Sequence, residues 1–352
     1  MAVFGCTGCG AALTVPVARV ALPAEAHQKV GNGPGALPVL MAPGTYAVDP
    51  EPTGPPWRPW DEVGTAEAAA RGTFAPVRAL SFGPPGAVVV APGDTRGTAL
   101  VPERCDGYCC GLSWGAAPNM ACERCALPVA TRIDDCGLWQ AVWLDPRAVR
   151  RIDGPPSAAG PVFDWDTWVR EGRRAPPREP AGGWDPRWEA AIGAGAARLL
   201  AASGGSFPAV PDGEGALTLD RTLRRLLPHG PPARSVVLAG PGLPVPGPGD
   251  IALVPQHPRT GEAWPAPDGT AAAALTAEVW LHLARPRVRP AMPVNGALPD
   301  GVWRDDPSLP HPGGFFRPDM DVFLRTLARL PAVREPWLRR IHDRVRKAPY
   351  AF

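Results

Sequence analysis

Two Cys-x-x-Cys pairs constrain this sequence more than any other feature: Cys6/Cys9 near the start of the chain and Cys122/Cys125 further in. Two intervening residues let a tight turn bring both thiolates to one tetrahedral ion, with backbone N–H groups donating to the sulfurs. Four more cysteines, Cys105, Cys109, Cys110 and Cys136, surround the second pair. Six of the eight therefore fall between residues 105 and 136, and none follows. Clustered cysteines bind metal in a reducing compartment and form disulfides in an oxidising one.

The N-terminus has no charged leader and places Cys6, Cys9 and Pro16 where a signal peptide needs an unbroken apolar stretch. The sequence also lacks an apolar run of the roughly 18 residues that a membrane helix needs. A cytoplasmic location without membrane contact is expected, and with it Zn2+ as the cofactor rather than disulfides. All eight cysteines are candidate ligands.

The partition among ions has two solutions. One puts Cys122, Cys125, Cys136 and one of Cys109/Cys110 on a local ion, leaving Cys6 and Cys9 with Cys105 and a further ligand. The other joins Cys6/Cys9 to Cys122/Cys125 across the chain and leaves the other four for a second ion. The local solution is preferred because short loops lose less entropy on closing. Adjacent cysteines diverge, so Cys109 and Cys110 serve different sites or one is spare. His27 or Asp135 supplies the missing ligand if only seven cysteines coordinate. A site with four thiolates is typically closed and structural, whereas a catalytic zinc keeps an open position.

Glycine and proline together make up 89 of the 352 residues, a level that raises the question of disorder. Thirteen tryptophans and a 45% hydrophobic fraction argue for a folded chain with short elements and many turns. Arginine supplies all but two of the 36 basic residues, and a net charge of +2 predicts neither wholesale nucleic-acid binding nor attraction to membranes.

Residues 1–150 read as short strands. Val3, Phe4, Leu13, Val15 and Val17 suggest a hairpin around the first cysteine pair. Ala87–Val90 and Thr98–Val101 flank the turn signal Pro92-Gly93-Asp94, which predicts a second hairpin. Pro128–Thr131 and Leu138–Leu144 are further strands. Residues 151–183, rich in proline and glycine, read as a linker anchored by Trp165 and Trp168. In 184–352 the pattern turns helical: a run opened by Asp185-Pro186, a second from Thr218, an alanine-rich Thr270–Ala284, then Asp319–Leu330 and Pro336–Lys347, with strands at Ser235–Leu238 and Ile251–Val254. The expected class is α+β, a zinc-stabilised β-rich part followed by a mixed, mainly helical one.

Catalytic signatures are weak. The loop Gly240–Gly249 follows a strand as a phosphate loop does, but its prolines lack the N–H donors that cradle phosphate. Gly193 and Gly195 sit inside a helical run, where close packing explains them better than dinucleotide binding. Asp134/Asp135 and Asp305/Asp306 read as turn acids, and His257 and His311 sit in loops without an evident partner. From Arg317 onward there are nine basic and four acidic residues, with the arginines off the apolar stripe as on a solvated helix face. Phe315 and Phe316 read as packing residues.

Cys6-Thr-Gly-Cys9-Gly resembles a zinc-ribbon knuckle, with Gly8 and Gly10 suited to positive φ. Cys122-Glu-Arg-Cys125-Ala resembles one without those glycines. Through Cys109-Cys110-Gly-Leu, Pro118-Asn119, Cys122-x-x-Cys125 and Asp135-Cys136 the chain is similar to an uncharacterised family of high-GC bacterial proteins, which implies no activity. The reading is a zinc-stabilised binding protein, its partner another protein engaged through tryptophan-rich loops such as Trp57–Trp60. An enzyme with its site between the two halves and a nucleic-acid-binding zinc ribbon are the alternatives.

Overall fold

A computed structural model describes the chain except residues 30–36, 106–111, 114–117, 153–162, 178–183, 211–218, 229–230, 286–315 and 350–352. The fold is α+β. Its N-terminal part is built on a seven-stranded sheet in the order Ala18–Arg19, Thr45–Asp49, Ala87–Val90, Ala141–Leu144, Pro128–Ile133, Met120–Cys122 and Thr98–Leu100. The first pair is parallel and the rest antiparallel.

Alternation along the central strands explains their unbroken apolar runs. Val88, Val90, Val142 and Leu144 face a core that includes Phe4, Leu13, Cys6 and Cys122. Ala87, Val89, Ala141 and Trp143 face the opposite core with Leu40, Met41 and Trp139. A strand covered on both sides needs no polar face.

The hairpin around the first cysteine pair forms as expected: Ala2 and Val17 exchange backbone hydrogen bonds, and Leu13 N donates to Phe4 O at 2.8 Å. The second expected hairpin does not form. Ala87–Val90 and Thr98–Leu100 are both strands, but the first pairs with Thr45–Asp49 and Ala141–Leu144, and the second with Met120–Cys122. Pro92–Asp94 is a 3-10 turn between them, and the buried Asp94 carboxylate accepts from Gly44 N at 2.8 Å. Hydrophobic demand at the sheet centre outweighs the local turn signal.

The C-terminal part holds a parallel sheet, Pro208–Ala209, Arg234–Leu238, Ile251–Pro255 and Ala271–Leu275. The helix Pro186–Ser203 packs against Ala271–Leu275 and the helix Met320–Arg329. Proline occupies its first turn, and the Asp185 side chain accepts from Arg187 N. The expected alanine-rich helix starts late: Ala271–Leu275 is a strand, and only Ala277–Ala284 is helical. Alanine's helix preference, at most about 0.7 kcal/mol over ordinary residues, is outweighed by a place in the ladder. Small side chains suit this close approach; a Cβ on Gly195 would lie 2.3 Å from Leu275 Cδ2. A Cβ on Gly193 would lie 2.4 Å from the Asp319 carbonyl oxygen, so both glycines serve helix packing. Gly240 likewise abuts the Trp280 ring.

Pro336–Lys347 is helical as expected, while the runs predicted from Thr218 and Asp319 are helices at Arg221–Leu226 and Met320–Arg329. Part of the expected linker, Trp165–Glu171, is a helix whose Trp165 ring meets Trp168 and His257. Residues 74–77 cross to the C-terminal core: Ala75 is buried there, and Phe74 N donates to Ala328 O at 2.7 Å. Among the described residues no helix is long and apolar enough to cross a membrane.

Candidate metal centre

The two cysteine pairs form turns with matching hydrogen bonds. In the first, Cys6 N donates to Ala11 O at 2.9 Å and Gly10 N to Cys6 O at 2.9 Å. In the second, Cys122 N donates to Leu127 O at 2.9 Å and Ala126 N to Cys122 O at 2.8 Å. Each turn closes through a left-handed residue directly after its second cysteine, Gly10 at φ 73° and Ala126 at φ 58°. The second knuckle thus adopts the same backbone without glycine. Gly8 does not take the positive φ expected of it; its α-carbon lies over the thiols, where a Cβ would be 3.5 Å from Cys125 Sγ.

These turns face each other. The four sulfurs of Cys6, Cys9, Cys122 and Cys125 lie within 4.8 Å of one another, with Cys6–Cys125 at 3.5 Å and Cys9–Cys122 at 3.6 Å. A tetrahedral ion with metal–sulfur bonds of about 2.3 Å needs sulfur separations of about 3.8 Å. The donor set therefore fits a metal ion. Cys6 and Cys122 are fully buried, while Cys9 is half-buried and Cys125 exposed.

Burial raises the Cys122 thiol, but the Cys125 and Arg124 amides and the neighbouring thiols outweigh it and bring it to about 7. At Cys125 the Leu127 amide lowers the thiol, yet burial and the three other thiols push it up to about 12. Four thiols this close cannot all ionise without a cation between them.

This is the long-range arrangement, not the local one preferred from loop length. Lengthening a closed loop from about 30 to about 115 residues costs only about 1.2 kcal/mol, and the sheets already bring the turns together. Phe4–Cys6 pairs with Val149–Arg151, and Thr7 N donates to Ala148 O. Cys105 and Cys136 stand outside the cluster; Cys105 Sγ donates to Val101 O at 3.2 Å. Cys109 and Cys110 lie outside the described residues. Asp135 caps its own turn, accepting from Gly137 N at 3.0 Å, and Asp134 pairs with Arg132.

His27 is not beside the thiols either. Its Nε2 lies 2.9 Å from Oδ2 of the fully buried Asp49, which also accepts from Thr53 Oγ1 at 2.6 Å and Glu51 N at 2.9 Å. Burial raises Asp49, but these hydrogen bonds, His27 first, hold it below the usual carboxylate range. Burial and then the Arg325 guanidinium lower His27, so its imidazole is neutral at pH 7 and its Nε2–H donates to the Asp49 carboxylate. His27, Asp49 and Glu51 are close enough to hold a cation. However, the Glu51 carboxylate is already taken by Arg325 and by Arg329 at 2.7 Å.

Among the described residues no carboxylate bonds the His257 ring: Nδ1 accepts from Arg259 N at 3.1 Å, and the ring packs on Phe163 and Trp165. His311, Phe315 and the Asp305/Asp306 pair lie outside the described residues. Phe316 is buried against Trp184. Trp139, Trp143, Trp188 and Trp280 are buried, whereas Trp57 is 43% exposed. No family model matches this chain, and comparison with curated proteins and with solved structures gives no match.

Proposed function

We propose that this protein is a zinc-stabilised binding protein, with Zn2+ held by Cys6, Cys9, Cys122 and Cys125 as a structural fastening. One observation carries the reading: four sulfurs from two matching turns, over 110 residues apart in sequence, lie within bonding reach of a single ion. Thiolate donors select zinc among abundant divalent ions, and four of them leave no open position for substrate. Structural zinc contributes on the order of 10–16 kcal/mol at neutral pH, comparable to a domain's whole stability of about 5–15 kcal/mol. An N-terminal part made of strands two to six residues long has need of it. Cobalt substitution tests the assignment. Tetrahedral Co2+ with thiolate charge-transfer bands supports it; an octahedral spectrum, or no uptake, rejects it.

Among the described residues Trp57 is exposed and Trp60 beside it half-buried, so the segment Trp57–Trp60 is the contact this reading would use for a protein partner. The enzyme reading is favoured by a different residue from those expected: His27, neutral and held by Asp49, lines a cavity shared by both halves of the chain. Its neighbouring hydroxyls are already committed, Thr53 to Asp49 and Ser81 Oγ to Gly54 O at 2.5 Å. Binding is the reading this wall supports best.

A further inference from the structure

That cavity, about 360 Å³, lies where His27 and Trp57 meet residues 71–81 and the helix Met320–Arg329. Its volume suits a small organic molecule. Six cationic side chains line it, Lys29, Arg71, Arg78, Arg325, Arg329 and Arg346, against one carboxylate, Asp321. Glu51 engages Arg325 and Arg329 together, so one negative charge answers two positive ones. Lys29, Arg78 and Arg346 make no ion pair with any described residue. Arg71 pairs with Glu67 at 3.6 Å and stacks on Phe82, its charged carbon 3.8 Å from the ring centre, while its Nε is buried without a hydrogen-bond acceptor among the described residues.

Arg71, Arg325 and Arg329 are half-buried, so their mutual repulsion is screened less than that of the exposed Lys29, Arg78 and Arg346. An oxyanion there would relieve this and accept the guanidinium N–H groups in pairs. Beside His27, Thr73 and Ser81, the wall has an apolar side made by Val77, Leu80 and Leu324, with the exposed Trp57 indole. A wall of that kind selects a flat apolar body beside the charged head.

We propose that this cavity binds a small organic dianion, a phosphomonoester or a dicarboxylate carried on a planar ring. The proposal is independent of the metal at the cysteines. The test is titration calorimetry on the full-length, metal-loaded protein at low salt, using phenyl phosphate and phthalate as probes. Benzyl alcohol, inorganic phosphate and a single-stranded oligonucleotide serve as comparisons.

At least one aromatic dianion binds one per chain with a Kd tighter than about 1 mM, and the tighter of the two identifies the head group. The neutral alcohol does not bind. An Arg78→Gln/Arg346→Gln double variant, which breaks no ion pair to a described residue, keeps its circular dichroism spectrum and loses at least tenfold in affinity. Trp57→Ala weakens phenyl phosphate more than inorganic phosphate. The proposal is overturned if both dianions bind more weakly than 1 mM, or if the double variant binds as tightly as wild type. Tighter binding of the oligonucleotide than of either dianion, with the same sensitivity to the double variant, also overturns it and makes the surface a nucleic-acid site.

Discussion

The two knuckles share a backbone but not a sequence, and the difference sets up a reciprocal experiment. Gly10 sits at φ 73°, and a Cβ built on it would come no closer than 4.0 Å to any neighbour, Arg150 Nη2. Gly10→Ala therefore meets no steric obstacle, and its cost is conformational. A left-handed L residue costs about 1–2 kcal/mol, while removing glycine from the unfolded chain returns about 0.4–1 kcal/mol. The net loss is about 0.8 kcal/mol, the difference of the mid-range values. Ala126, at φ 58° and exposed, already carries that strain and buries little with its methyl group. Ala126→Gly should gain about the same 0.8 kcal/mol by the same two terms. Urea unfolding of the metal-loaded protein, followed by far-ultraviolet circular dichroism, reads both as midpoint shifts at constant slope. The midpoints should move in opposite directions. A Gly10→Ala variant as stable as wild type, or an Ala126→Gly variant less stable, would refute the claim that left-handed geometry closes these turns.

Other outcomes follow from the packing. Burial pushes the Glu25 carboxyl up to about 7, above its ordinary 4.5, with Arg187 at 3.7 Å compensating only in part. The folded state then holds a proton that the unfolded state has lost, so stability falls as pH rises from about 4.5 to 7. Glu25→Gln should equal wild type at pH 4 and be more stable at pH 8 by up to about 3 kcal/mol, measured by denaturant midpoints. Gly193→Ala should destabilise by about 1–3 kcal/mol, because its methyl group would meet the Asp319 carbonyl oxygen. In an exposed helix the same change gains about 1 kcal/mol, so the sign in a thermal melt decides whether packing or propensity governs this site.

Much of the C-terminal half was legible in the sequence because its signals are local. Pro336 at a first helical position and the stripe Leu338, Ile341, Val345 give a helix whose bounds match the expected ones. Ala271–Leu275 is not legible as a strand because four alanines and a leucine carry no period, and only the neighbouring strand and helix make them a ladder member. The failed hairpin at Pro92–Asp94 has the same origin: a turn signal says that the chain bends, not which strand it meets next. The metal cluster was half visible. Each Cys-x-x-Cys announced its turn, but the choice of partners depended on Thr7 meeting Ala148, a contact with no signature in either segment. His27 was named only as a spare ligand. It is set beside its cavity by Asp49, while Glu51 holds Arg325 of the cavity wall from 274 residues away, and no spacing rule reaches that far.

The central claim is that one ion bridges the two knuckles, and metal stoichiometry tests it most directly. Zinc per chain should be measured by plasma mass spectrometry on wild type, Cys6→Ser, Cys122→Ser and the double variant, all purified without added metal. The account predicts that each single variant loses one zinc and that the double variant loses no more than either. Separate losses that add in the double variant would place Cys6 and Cys122 on different ions, and a wild type without zinc would contradict the account outright.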